Sequence, residues 1–161
     1  MNKTYNQLLL MNIIEYLENF NIDNVYFCEP IKNNIIVNGS FIRILYSNEQ
    51  LVLNGIYLYV HFQNISIEKY FNKYKCTFDL QTHSKLIDNI KQIEDSILKK
   101  TNIKNKSPSY KINDLLKNGN IKIFSENIDK INNGFLLKIS GIWEDDNFYG
   151  VTYKFIQVNH S

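Results

Sequence analysis

Between Val25 and Leu80 apolar and polar residues alternate, with β-branched and aromatic side chains prominent and turn signals such as Asn33-Asn34, Asn38-Gly39 and Ser47-Asn48 breaking the run. A period of two matches a strand buried on one face, so this stretch is committed to sheet. The spacing predicts strands near 25–29, 40–47, 51–62 and 74–81, with Ser47-Asn48-Glu49-Gln50 closing a hairpin between the middle pair. The pattern resumes after Gly119-Asn120 in Ile121–Phe124, and again in Phe135–Trp143 and Phe148–Val158 on either side of Glu144-Asp145-Asp146-Asn147. The last two runs read as a C-terminal hairpin.

Helical spacing occurs twice. Thr4-Tyr5-Asn6-Gln7 has the form of a capping box ahead of Leu9, Ile13, Leu17 and Phe20, predicting a helix near 5–20. Leu86, Ile90, Ile93 and Ile97 predict a second helix over 84–100, with Ser84 as cap and Lys99-Lys100 placed where cations favour the helix dipole. Thr101–Lys111 offers little to bury and is expected to be a mobile basic loop. The fold class is therefore mainly β with helical additions (α+β). An OB-fold-like antiparallel barrel is the expected form, with about five to seven strands, one N-terminal helix and one helix between the strand groups. All 161 residues are expected in a single domain, with residues 1–22 available for assembly.

Composition narrows the classes. With 44% apolar residues, 18 basic against 16 acidic side chains and no long apolar run, the chain is neither disordered, collagenous nor membrane-spanning. Twenty-four Asn, twenty-four Ile and seventeen Lys beside no Ala and one Arg match AT-rich codon usage, so Asn or Lys abundance alone is not read as chemistry. Cys28 and Cys76 stand apart, without a CxxC or Cys/His pair, and are expected to be reduced core thiols. Leu8–Ile14 is broken by Asn12 and offers no cleavage site, so no export signal is read and the five Asn-x-Ser/Thr triplets are taken as chance. An intracellular protein is expected, not a secreted one.

The net charge of +2 conceals a basic middle: residues 1–68 carry 3 basic and 6 acidic side chains, 69–122 carry 12 and 5, and 123–161 carry 3 and 5. Lys99, Lys100, Lys104, Lys106 and Lys111 fall where no carboxylate occurs between Asp95 and Asp114, with Tyr110 among them. Such a run can hold a polyanion or be a solvated lysine-rich loop. On strand 51–62, alternation sends Ile56, Leu58, Val60 and Phe62 to one face and Tyr57, Tyr59 and His61 to the other. Exposed rings near cations make a platform for unpaired bases, unless a helix covers that face. Arg43, between Phe41 and Leu45, is predicted beside the tyrosine row, serving either phosphate and base contact or a structural ion pair. The sequence lacks phosphate-loop, dinucleotide, nucleophile-elbow and zinc-protease motifs, and its histidines are scattered; the Glu144–Asp146 acids read as a solvated turn. No catalytic residue, metal or cofactor is assigned.

Two stretches resemble a known family: Asn38-Gly-Ser-Phe-Ile-Arg-Ile-Leu-Tyr-Ser47 leading to Leu53-Asn-Gly-Ile-Tyr-Leu58, and Ser140-Gly-Ile-Trp-Glu144 leading to Gly150-Val-Thr-Tyr-Lys-Phe155. They are similar to the single-stranded-DNA-binding proteins of large double-stranded-DNA viruses, the baculovirus DNA-binding proteins and phage-type OB-fold binders. The resemblance implies sequence-nonspecific coating of unpaired DNA in viral replication or recombination and location in a host nucleus or cytoplasmic viral factory; because one small barrel covers only a short stretch of strand, a homo-oligomer or cooperative self-association on DNA is expected. By that analogy Trp143 and Tyr153 touch DNA, whereas alternation groups Trp143 with Phe135, Leu137 and Ile139 and predicts core for both. The expected nucleic-acid-binding set is Arg43, Tyr57, Tyr59, His61, Lys75, Lys99, Lys100, Lys104, Lys106, Tyr110, Lys111 and Lys154. The alternatives are RNA binding, and a non-catalytic protein- or host-interaction module that keeps the barrel without DNA contact.

Overall fold

The computed structural model describes residues 14–124 and 133–158. Among these residues, twelve strands and two α-helices follow in the order β1 (Glu15–Tyr16), β2 (Val25–Phe27), β3 (Ile31–Asn33), β4 (Gly39–Ser47), β5 (Val52–Asn54), β6 (Ile56–His61), β7 (Ser66–Tyr70), β8 (Lys73–Thr77), α1 (Ser84–Lys100), β9 (Ser107–Ser109), α2 (Lys111–Lys117), β10 (Asn120–Ile123), β11 (Gly134–Glu144) and β12 (Phe148–Gln157). The mainly β, α+β class is as expected. The closed form of the barrel is not observed: nine strands form one sheet whose path β1-β6-β11-β12-β9 leaves β1 and β9 as edges, and β10-β8-β7 form a second, smaller sheet.

β11 organises the large sheet. One of its edges pairs with β12 along its whole length; the other is shared, with β6 opposite Gly134–Ile139 and β4 opposite Gly141–Glu144. The change of partner coincides with a register shift between Ile139 and Gly141 that inserts Ser140 as a bulge. Gly55 lies against the same point, and a Cβ there would stand 3.1 Å from the Ile139 carbonyl oxygen. Its φ of +106° explains why the expected single strand 51–62 divides into β5, paired with β4, and β6, paired with β11.

The bulge also resets the alternation. Phe135, Leu137 and Ile139 point inward and are fully buried; past Ser140 it is Ile142 that points inward, and Trp143 turns to the opposite face beside Phe41, half-buried. The core placement expected for Trp143 is thereby corrected, because strict period-two counting cannot see one extra residue. Tyr153 does lie on the inner face opposite Ile139, although only partly buried.

Helix α1 spans the predicted residues, with Ile87, Ile90, Ile93, Ile97 and Leu98 in the core. Its start is fixed by the buried His83 rather than by Ser84: the ring Nδ1 lies 2.6 Å from the Asp79 carbonyl oxygen, and Nε2 accepts the Gln63 N–H at 2.8 Å. Carbonyl and N–H together require the tautomer protonated at Nδ1. Phe62 stacks on Phe78 at 4.4 Å and meets Phe135 edge-on, contacts that add about 0.5–1.5 kcal/mol per pair beyond area burial.

Two further expectations need correction. Residues 101–111 are not a simple loop: β9 pairs in parallel with β12, and Lys111 opens α2. The expected helix 5–20 falls largely outside the described residues, and its described end is β1 followed by a single 3₁₀ turn at Leu17–Asn19. No helix among the described residues is long and apolar enough to cross a membrane.

Candidate functional site

On β6 the alternation places Ile56, Leu58 and Val60 in the core and Tyr57, Tyr59 and His61 outward, as predicted. No helix among the described residues seals the rings: Tyr57 and Tyr59 are half-buried at the surface of the sheet, and His61 is exposed. Cross-strand register extends the row. Tyr57 faces Lys138 on β11, whose Nζ stands 5.3 Å from the ring centroid, and Lys138 in turn faces Lys154 on β12. One step along, Tyr16 meets Tyr59 edge-on at 5.9 Å, with Leu136 and Ile156 beyond.

Arg43 shares this outward face but not the predicted position. β4 follows β6 along the same edge of β11 rather than lying beside it, so Arg43 sits opposite Gly141, beyond the bulge from Tyr57. It is exposed and forms no ion pair with a described residue. Around it the face is aromatic, because two glycines seat the rings: a side chain at Gly141 would strike the Phe41 ring and the Ile42 carbonyl, and one at Gly150 would come within 2.8 Å of the Trp143 ring.

The small sheet carries the second half of the site. Its outward positions are Glu68 and Tyr70 on β7, Lys73 and Lys75 on β8 and Lys122 on β10, with Lys75 facing both Glu68 and Lys122. Lys73 Nζ stands 4.8 Å from the centroid of Phe124, and Lys122 Nζ 5.3 Å from that of Tyr70. β10 packs beside β12, and a cleft of about 420 Å³ between them is lined by Lys73, Lys122 and Lys154 with Phe124, Tyr153 and Phe155, and by no carboxylate among the described residues. Lys154 belongs to both halves. A track of rings and ammonium groups therefore runs from Tyr57 through Lys138 and Lys154 to Lys122, Lys73 and Phe124.

The basic segment that stood out in the sequence is not part of this track. Lys99 pairs with Asp95 at 2.7 Å. Lys100 donates to the Ile22 carbonyl at 2.8 Å and lies over Tyr26. Lys106 is held by Glu144 at 2.9 Å, and Tyr110 donates its hydroxyl to Asp95 while its ring packs on the core. Lys104 and Lys111 are exposed, the latter as the first residue of α2. Along β11, Glu144 is six residues from Lys138, about 20 Å at strand rise, which sets the separation of Lys106 from the tyrosine row. Adjacency in sequence gathered these lysines; the fold disperses them.

Of the expected residues, the structure brings Tyr57, Tyr59, His61, Arg43, Lys75 and Lys154 onto the two outward sheet faces. Lys73, Lys122, Lys138, Phe41, Phe124 and Trp143 were missed. A signal for two of them, Lys73 and Lys122, was present, since Lys73-Tyr74-Lys75-Cys76 and Ile121-Lys122-Ile123 alternate as strictly as β6 does.

The acidic turn is structural. Asp145 accepts the Asn147 and Phe148 N–H groups at 2.8 and 2.7 Å, and these bonds hold its carboxyl below the usual range. Glu144 is likewise lowered by hydrogen bonds from Ser40 and Lys106. Among the described residues no cluster of His, Cys, Asp and Glu is arranged to hold a metal ion. Comparison with protein-family models, curated proteins and solved structures yields no match.

Proposed function

We propose that this chain binds single-stranded nucleic acid, DNA in the first instance, without catalysing a reaction and with little sequence preference. The observation that carries the reading is the aromatic and cationic track: Lys138 over Tyr57, Lys73 over Phe124 and Lys122 over Tyr70, joined by Lys154 in a cleft that no described carboxylate lines. Each part has a matching role. Ammonium groups replace the counterions condensed on the phosphates, and ring faces stack with bases, a contact that is sequence-tolerant because every base has a π face. Arg43, Phe41 and Trp143 extend the same surface beyond the bulge.

The likeness of residues 38–58 and 140–155 to viral single-stranded-DNA-binding proteins supports this reading and implies a role in viral replication or recombination. It also carries the OB-type mode of binding, a strand laid across a sheet face, and coating by successive copies. A track of this kind has no feature that reads a 2′-hydroxyl, so RNA is the natural competitor ligand.

A second reading rests on a different surface. At the turn between β3 and β4, Ile35 and Val37 are 94% and 85% exposed, and this apolar tip favours a protein-interaction module. Competition of a labelled thymidine oligomer with matched DNA, RNA and duplex separates the readings. The nucleic-acid reading expects both single strands to compete better than duplex; a protein-interaction module expects no binding of any of them.

A further inference from the structure

Among the described residues, five that are not glycine adopt left-handed backbone conformations, and four are asparagines: Asn38, Asn64, Asn102 and Asn105. Asn tolerates that region because its short polar side chain bonds locally; a bulky side chain there is a strained exception. The fifth is Phe71, with φ of +55°, at the turn joining β7 to β8. The chain therefore has an inexpensive solution for such turns, uses it repeatedly, and among the described residues departs from it only here.

The departure gains nothing for folding. The Phe71 ring is 80% exposed, and its one aromatic neighbour is Tyr70, edge-on at 4.8 Å. Its surroundings are cationic. Tyr70 faces Lys73 across the hairpin, Lys73 stands over Phe124, and Lys122 reaches over the Tyr70 ring. At this end of the small sheet an aromatic–lysine–aromatic row thus runs from Tyr70 to Phe124, and Phe71 projects beside it. A strained backbone that presents a solvated ring beside phosphate-binding charges has the attributes of a contact made with a ligand rather than within the fold.

We infer that the Phe71 ring is a stacking element that takes up a base of the strand held by Lys73 and Lys122. The inference rests on the nucleic-acid reading above and adds to it a specific residue and an end point for the track. An exposed ring offers its face without reorganisation, and the left-handed turn holds the ring clear of the sheet, where a regular turn residue would not.

The test is Phe71→Asn in the full chain, with Phe71→Leu and Phe71→Trp as companions, read by anisotropy on a labelled thymidine oligomer and by thermal unfolding. Asn relieves the backbone, so the melting temperature is expected to stay the same or rise by about 2–4 °C. Affinity is expected to fall roughly 5- to 100-fold for Asn, to fall also for the apolar but non-aromatic Leu, and to be retained with Trp. Wild-type binding that persists undiminished in both the Asn and Leu variants overturns the inference and leaves the nucleic-acid reading standing. Absence of wild-type binding removes both. Loss of affinity accompanied by a lower melting temperature in every variant, Trp included, assigns Phe71 a folding role and likewise overturns the inference.

Discussion

Removing the Glu94 carboxylate is expected to cost the fold about 2–4 kcal/mol. Glu94 is fully enclosed on α1, and its two oxygens accept the N–H groups of Ile112 and Asn113 at 2.9 and 3.0 Å, fixing the first turn of α2 against α1. Both donors are themselves buried, so Glu94→Ala leaves two enclosed N–H groups without acceptors. Hydrogen bonds to a charged group contribute about 1.5–3 kcal/mol each; two give about 3–6, and relief of the buried charge offsets part of that. Urea unfolding followed through Trp143 fluorescence, with the slope unchanged, measures the loss. A loss below about 0.5 kcal/mol would refute the reasoning.

The pH dependence gives a second reading of the same group. Burial raises the Glu94 carboxyl above its usual range, the Ile112 and Asn113 N–H groups oppose the rise, and Asp114 adds to it. A carboxyl that holds its proton more tightly when folded contributes stability that is fully present below the unfolded pKa of about 4.3 and is lost as pH rises through the folded value. Wild-type stability minus that of Glu94→Gln should therefore decline from about pH 4 upward and then level off. A difference that climbs over the same window contradicts the assignment.

Gly141→Ala is expected to destabilise by about 1–3 kcal/mol or more, since the new methyl meets the Ile42 carbonyl and the Phe41 ring and β4 must separate from β11; thermal unfolding reads it. For the thiols, burial pushes Cys76 up to about 11 while Cys28 is only half-buried, so a thiol reagent should titrate Cys28 in the native chain and Cys76 only after unfolding. Reaction of both at equal rates would count against the packing described. Glu144, lowered by Ser40 and Lys106, contributes stability above its unfolded pKa that is lost as pH falls through the folded value, and Lys106→Gln should flatten that acid limb. Because Lys106 is already paired, the same variant should leave the salt dependence of oligomer binding unchanged, whereas Lys138→Gln should reduce it.

Local pattern was legible wherever one periodicity ran unbroken. Leu86 to Ile97 delimits α1, and Ile56 to His61 assigns every side chain of β6 to its face. What escaped depended on single residues that break a pattern: Gly55 divides a strand, and Ser140 adds the bulge that turns Trp143 outward. Strands β7 and β9 and helix α2 were missed because they are short and draw their stability from pairing and from Glu94, which lies 18 residues from its partner Ile112. The site was half legible for the same reason. Tyr57 and Tyr59 are set by their own strand, but their cations come from β8, β10, β11 and β12, which only the folded topology brings together.

The central claim is that these dispersed lysines and rings act as one binding track. Anisotropy of a labelled, unstructured thymidine oligomer over a salt series, with wild type, Tyr57→Ala/Tyr59→Ala and Lys122→Gln/Lys138→Gln/Lys154→Gln, tests it directly. The account predicts wild-type affinity that falls with salt, a triple-lysine variant whose log–log slope is shallower by about 2 at roughly 0.7 per phosphate, and a tyrosine variant that is weaker by about 1–3 kcal/mol per lost stack with its slope kept. Negligible wild-type binding at low salt, or a triple-lysine variant with the wild-type slope, would contradict it.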